Sequence, residues 1–254
     1  MMFTKAIVRK PCAEMVNGIT TSTLGKPDFG LALKQHLIYI EALQACGLSV
    51  KVLEADSRYP DSTFIEDVAV CTPLCGIVTN PGALSRRGER DVMFDVLAGF
   101  YMNVHEITST GTLDAGDVMM VGPNFYIGLS ERTNDEGASQ LIRILRNYNL
   151  DGITVKMDKM LHLKTGLSYL ENNNLLISRQ FIHDKTFDRF NKILIDDEEA
   201  YAANSLWING TVLVPNGYPR TLEKIKKAGY KTMEVDTSEF RKLDGGLSCL
   251  SLRF

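Results

Sequence analysis

The sequence predicts an α/β fold built from five similar units of strand, strand, helix and strand arranged in a ring. Four hairpin-like segments, each followed by a helical pattern and a further strand, recur at intervals of roughly 40 to 50 residues. The chain also opens on a strand that has no hairpin partner, although a helix and a strand follow it in the same order. The missing partner is at the other end, LSCLSLRF (247–254), so pairing the first and last strands completes a fifth unit and removes the exposed edges of an open array. No linker or low-complexity segment interrupts the pattern, and residues 1–254 are read as a single domain.

The split unit begins with TKAIVR (4–9), continues through a helix from Pro27 to Cys46 with an apolar stripe at Leu33, Leu37, Ile40 and Leu43, and reaches the strand SVKVLEA. DVAVCTPLCGIVTN (67–80) is a hairpin around a Pro-containing turn. A helix with Val92, Phe94, Val96, Leu97 and Phe100 on its apolar positions follows, then the strand NVHEIT. GDVMMVGPNFYIGLS (116–130) turns at Gly122-Pro123 and leads to a helix with Ala138, Leu141, Ile142 and Leu145 as its stripe, then to ITVKMD. GLSYLENNNLLIS (166–178) turns on three asparagines and is followed by a short helix near 184–190 and the strand KILID. NSLWINGTVLVPNG (204–217) carries Asn-Gly, the pair that favours a tight two-residue hairpin. Its helix opens at Pro219 and closes at Gly229 before KTMEVD.

Composition narrows the function. With 44% hydrophobic residues, 23% charged residues and a net charge of -3, the chain has the make-up of a globular protein and lacks the basic patch that nucleic acid requires. No apolar run approaches membrane-spanning length, and MMFTKAIVRKP has no apolar core of a signal peptide. Five cysteines form no disulfide framework, and a reducing cytoplasm is the simplest address. Cys71-x3-Cys75 resembles half of a zinc site, but no second pair or histidine partner accompanies it, so it is read as straddling a hairpin turn and no metal is expected. Phosphate-binding glycine loops, GxSxG and HExxH are absent.

The chemistry lies in separated motifs. Cys249 follows Gly245-Gly246, a bend free of side chains, and a reactive thiolate needs such room. A buried structural cysteine is the ordinary alternative. His162 in LHLKTG and the acidic residues of FIED and LDAGD lie far upstream, as the members of a nucleophile, base and carboxylate set usually do. His36, His105 and His183 match no catalytic pattern.

FIED (64–67), SRRGE (85–89), LDAGD (113–117), SERTNDEGA (130–138), LHLKTGLSYLE (161–171), GYPRT (217–221) and DGGLSC together resemble the dimethylarginine dimethylaminohydrolase family of guanidino-group-modifying enzymes. The resemblance runs from residue 3 to 254. It implies a five-bladed α/β propeller, the pentein fold, and hydrolysis of Nω-methylated arginine to citrulline and dimethylamine or methylamine without a cofactor. Cys249 would be the nucleophile that forms an S-alkylthiouronium intermediate, activated when the substrate's guanidinium cation arrives beside it. His162 would be the general acid and base, oriented by Asp114, where some relatives carry Glu. Asp67 would pair with the guanidinium, supported by Glu66, and Phe64 would form an apolar wall. Arg86 and Arg132 match the clamp for the α-carboxylate. Asp61 and the backbone carbonyls of Ile19 and Leu243 would hold the amino end, with Asn17-Gly18 as the hinge of a covering loop. The implied partner is a small guanidino amino acid, with pairing through an outer strand giving a homodimer; neither nucleic acid nor membrane is involved. Arginine deimination, or hydrolysis of another guanidino or ureido compound, is the alternative within enzymes. A non-catalytic propeller acting as a binding module is the alternative outside them.

Overall fold

A computed structural model of the chain describes residues 2–158 and 160–254. In chain order it contains β1 (Lys5–Arg9), α1 (Phe29–Ala45), β2 (Ser49–Leu53), β3 (Ala69–Cys71), β4 (Gly76–Val78), α2 (Met93–Ala98) and β5 (Val104–Glu106). There follow β6 (Val118–Val121), β7 (Asn124–Leu129), α3 (Asp135–Arg146), β8 (Asp151–Lys156), α4 (Leu163–Gly166), β9 (Leu167–Tyr169), β10 (Asn174–Ile177) and β11 (Asn191–Leu194). The last elements are β12 (Leu206–Ile208), β13 (Thr211–Pro215), α5 (Pro219–Lys227), β14 (Lys231–Val235), α6 (Ser238–Arg241) and β15 (Leu252–Arg253).

Among the described residues the strands form five three-stranded sheets of one topology: β15-β1-β2, β3-β4-β5, β6-β7-β8, β9-β10-β11 and β12-β13-β14. In each, the middle strand is antiparallel to the first and parallel to the third. The predicted split unit is closed by β1 and β15, with Ala6 opposite Arg253 and Ile7 opposite Leu252. Asn209 and Gly210 both take the left-handed conformation (φ 48° and 92°) that a two-residue hairpin with the native twist demands.

Apolar side chains are buried between sheets rather than within them. Ile7, Val68, Val78 and Leu252 join the first sheet to the second, and Val70, Ile77, Val118 and Ile127 join the second to the third. Met119, Tyr126, Leu167 and Ile177 link the third and fourth; Leu176, Val212, Val214 and Ile225 link the fourth and fifth. Val8, Tyr39, Ile208 and Leu213 join the fifth back to the first. Each fully buried aliphatic contributes about 1.5–3 kcal/mol, so no sheet keeps its stability without its neighbours.

Several expectations need correction. The buried side of α1 is Ala32, Gln35, His36, Tyr39, Ala42 and Leu43, whereas Leu37 is 60% exposed. Tyr39 and Gln35 can be inside because they are partnered: Tyr39 bonds the Leu247 carbonyl at 2.8 Å and Ser251 at 2.6 Å, and Gln35 bonds Ser238. On α2 the buried residues are Met93 and Leu97, with Val92 and Phe94 exposed. The stretch near 184–190 holds one 3-10 turn, Lys185–Phe187, too short for an α-helix. The turn after β9 places Glu171, Asn172 and Asn173 at positive φ, one residue earlier than the asparagine triplet. Cys249 lies in a 3-10 turn, Ser248–Leu250, just before the closing strand rather than on it.

That placement repeats. A short helical turn precedes the first strand of each sheet: Ile65–Val68, Ala115–Asp117, α4, Asp197–Ala203 and Ser248–Leu250. The turn at 65–68 packs on those at 115–117 and 248–250, and α4 packs on those at 115–117 and 197–203. The fold thereby gathers five distant sequence segments at one place.

Candidate active site

Those turns carry the acidic residues and Cys249, and His162 caps the start of α4. His162 is buried, with Nε2 at 3.2 Å from Asp114 Oδ2 and Nδ1 at 3.9 Å from Asp67 Oδ1. Burial disfavours the imidazolium, but the carboxylates of Asp67, Asp114 and Asp117 outweigh it and raise the pKa to about 9. Asp114 is buried too; its ionised form is held below the usual carboxylate range against burial by His162, Arg86 and the Gly82 N–H. The backbone must come very close at Gly116, where a Cβ would stand 2.6 Å from His162 Nδ1 and 2.8 Å from Asp67 Oδ1. Its N–H donates to Asp67 Oδ1 at 3.1 Å, so glycine is required here by space.

Cys249 is half-buried, and its sulfur accepts the Gly246 N–H at 3.4 Å. Burial, followed by the charges of Glu66 and Asp67, pushes the thiol up to about 12, so the resting sulfur is protonated at neutral pH. Two cavities meet at Cys249 and His162. One, of about 50 Å³, is lined by Ile19, Asp61, Phe64, Asp67, Arg86, Arg132 and Leu243 as well. The other, of about 30 Å³, is lined also by Glu66, Gly116, Lys164, Tyr201, Asn204 and Ser248. The predicted site residues are thus collected around one cavity, except that Asp114 stands behind His162 and Glu66 faces the second cavity.

Adjacent in sequence, Glu66 and Asp67 serve different groups. Asp67 Oδ2 meets Arg86 Nη1 at 2.5 Å. Arg86 is buried, and its Nε and Nη2 donate to both oxygens of Glu89 and to the carbonyls of Asp61 and Phe64. Much of its hydrogen-bonding capacity therefore holds the Asp67 segment in place. Arg132, half-buried, approaches Asp114 at 3.8 Å and is freer to meet a ligand. Glu66 instead binds Lys164 Nζ at 2.7 Å, Arg253 Nη2 at 2.8 Å and Ser248 Oγ at 2.7 Å. These cations and the Ser248 hydroxyl lower its pKa against burial. Ser248 also donates its N–H to Asn204 Oδ1, and its carbonyl accepts Arg253 Nη1 at 2.9 Å. The residue before Cys249 is therefore gripped on three sides.

At the opposite end of the larger cavity, Asp61 Oδ1 accepts the Ile19 N–H at 3.0 Å. Asp244 Oδ2 holds Thr21 through its hydroxyl at 2.9 Å and its N–H at 2.6 Å. The segment 19–21 is tied down at two points. Phe64 stacks edge-on against Phe240, and a Cβ at Gly245 would collide with the Phe64 ring, so the first glycine of the pair makes room for that wall.

Donor atoms of Asp67, Asp114 and His162 lie within 4.8 Å of one another, a spacing a metal ion accepts. Arg86 and Arg132 already bring positive charge to the two carboxylates, so a divalent ion would sit among cations. Cys71 and Cys75 flank the β3–β4 turn, where Thr72 Oγ1 caps the Cys75 N–H at 2.9 Å.

Sequence reasoning missed Asp117, Lys164, Asn204, Ser248, Arg253 and Glu89. The repeat itself held a signal for Asn204, Ser248 and Asp117, which lie in or next to the turns before a first strand, where the other site residues were found. No helix among the described residues is long and apolar enough to cross a membrane.

Comparison with known proteins gives a consistent set of likenesses. The family model described as arginine deiminase matches residues 90–207. N(G),N(G)-dimethylarginine dimethylaminohydrolase of Pseudomonas aeruginosa is 53% identical over the whole of both chains. A structure of the Pseudomonas aeruginosa enzyme, a C249S mutant complexed with citrulline, is 52% identical with a TM-score of 0.99 over both full chains. A second, the H162G adduct of dimethylarginine dimethylaminohydrolase with S-methyl-L-thiocitrulline, is 53% identical with a TM-score of 0.98, again over both full chains.

Proposed function

The chain belongs to the dimethylarginine dimethylaminohydrolase family, and from this we propose that it hydrolyses Nω-methylated arginine to citrulline, releasing dimethylamine or methylamine. The observation that supports this most is the shared cavity, where a protonated imidazole and a neutral thiol meet beside one carboxylate suited to a guanidinium. Asp67 pairs with the substrate's guanidinium, and the α-carboxylate is met by Arg132 and by the Arg86 edge that faces the cavity. Asp61, with the carbonyls of Ile19 and Leu243, holds the amino end.

Entry of the cation next to Cys249 favours its thiolate, the thiol proton leaving to solvent, and the thiolate attacks the guanidinium carbon and forms the C–S bond. His162 gives its proton to the departing amine as the C–N bond breaks, leaving an S-alkylthiouronium. The neutral imidazole then takes a proton from water, whose oxygen adds to the same carbon. The C–S bond breaks as the added hydroxyl becomes the citrulline carbonyl, and the proton it releases returns the sulfur to its thiol form as citrulline leaves. The sheets are read as five blades of an α/β propeller forming one catalytic domain, supported by the shared cores that lead from the fifth sheet back to the first.

The match to the arginine deiminase model favours deimination as the second reading. Turnover of an equimolar mixture of asymmetric dimethylarginine and arginine separates them, with Cys249→Ser as the blank. Dimethylamine and citrulline, both lost in the variant, are expected. Ammonia in place of dimethylamine makes the chain a deiminase, and no amine from either overturns both readings.

A further inference from the structure

Asp117 closes the LDAGD motif and is fully buried, yet it lines neither of the two cavities that meet at Cys249. Its bonds lead to three functional segments. Oδ1 accepts the backbone N–H of Leu163, the residue after His162, at 2.9 Å. Oδ2 accepts the hydroxyls of Ser130 at 2.6 Å and Thr133 at 2.7 Å. Ser130 Oγ in turn accepts the N–H of Arg132 at 3.0 Å, and Thr133 Oγ1 accepts the N–H of Asp114 at 3.2 Å.

The direction of these bonds matters. Each hydroxyl already accepts from a backbone N–H and spends its own proton on Asp117. Three donors therefore converge on one side chain, a demand that an ionised carboxylate meets and an amide does not. Resting on the functional reading above, we propose that Asp117 is a positioning residue that sets His162, Asp114 and Arg132 in one register from a single buried carboxylate. The acid/base and the carboxylate clamp, which act at opposite ends of the substrate, are thus aligned by one group that touches neither end.

The arms can be cut singly. Ser130→Ala severs the branch to Arg132, along with the Thr133 N–H that the same hydroxyl accepts at 3.2 Å, and should raise KM about tenfold with kcat nearly unchanged. Thr133→Val severs only the branch to Asp114 and should lower kcat about tenfold with KM nearly unchanged. Asp117→Asn disturbs all branches, and an ångström-scale displacement of the reacting groups corresponds to a loss of about 100-fold in kcat/KM. Steady-state kinetics on asymmetric dimethylarginine, with thermal melts of each variant, read the pattern. If the unmodified chain turns over and the two single-arm variants show no such division between KM and kcat, Asp117 is only a structural residue and the proposal fails. If Asp117→Asn does not fold, the single-arm variants decide alone. An unmodified chain without turnover overturns the functional reading, and this inference with it.

Discussion

A thiol that is buried near Glu66 and Asp67 resists ionisation, and burial is the largest part of that resistance. Alkylation of substrate-free protein by iodoacetamide should therefore be slow at neutral pH. Its rate at Cys249 should keep rising toward about pH 12; a plateau near neutrality would reveal a preformed thiolate. His36 gives the molecule a separate pH dependence. Burial lowers its pKa from 6.5 to about 4, and its Nε2 has no hydrogen-bond partner among the described residues. The unfolded chain binds the extra proton between those values, so stability is complete above pH 6.5 and declines as pH falls toward 4, by up to about 3 kcal/mol. Urea midpoints at pH ~5 and ~7 should diverge more in the unmodified protein than in His36→Gln; equal differences would sink the assignment. At this scale the sequence was legible for chemistry and mute on direction. Glu66 and Asp67 are neighbours in one motif, but successive residues on a helical turn point apart, and only packing shows that Glu66 serves Ser248 and Arg253.

Short strands bracketed by turn residues were legible because each turn needs a particular backbone, which its residues advertise. Asn209 shows how much such a turn can hold: beyond its left-handed φ, its side chain bonds both the N–H and the carbonyl of Phe3 at 2.8 Å and the carbonyl of Cys46 at 3.0 Å. Asn209→Ala removes these bonds and strains the turn, at a cost of about 3 kcal/mol. A thermal melt should fall by several degrees, while a fall within error would mean that water replaces the lost bonds. The phase of α1 was less legible, because hydrophobicity counts Gln35 and His36 as outside and Leu37 as inside. Partners for Gln35 and Tyr39 lie about two hundred positions away, where no periodicity can show them.

Across the whole molecule, each apolar core belongs to two sheets, so stability is shared around the five units rather than stored in one. Repeat spacing made the architecture and the pairing of the terminal strands readable, since identical units with an unmatched strand at each end have few ways to finish. The polar cluster around Ser248 was unreadable for the same reason: its members come from four units and carry no common motif. Removing Leu252–Phe254 should unfold the protein although Cys249 is retained, because β1 loses its antiparallel partner and Glu66 loses Arg253. Circular dichroism and turnover of the shortened chain provide the check; native ellipticity with normal rates would refute the dependence. The pairing of β1 with β15 also has a bearing on biosynthesis. β1 is synthesised well before β15, so its antiparallel neighbour does not exist while the four other sheets are being made, and Cys249 arrives just ahead of that neighbour. Until β15 is made, the carboxylates and the imidazole are present without the Cys249 sulfur, so the cluster is complete only when the first sheet closes.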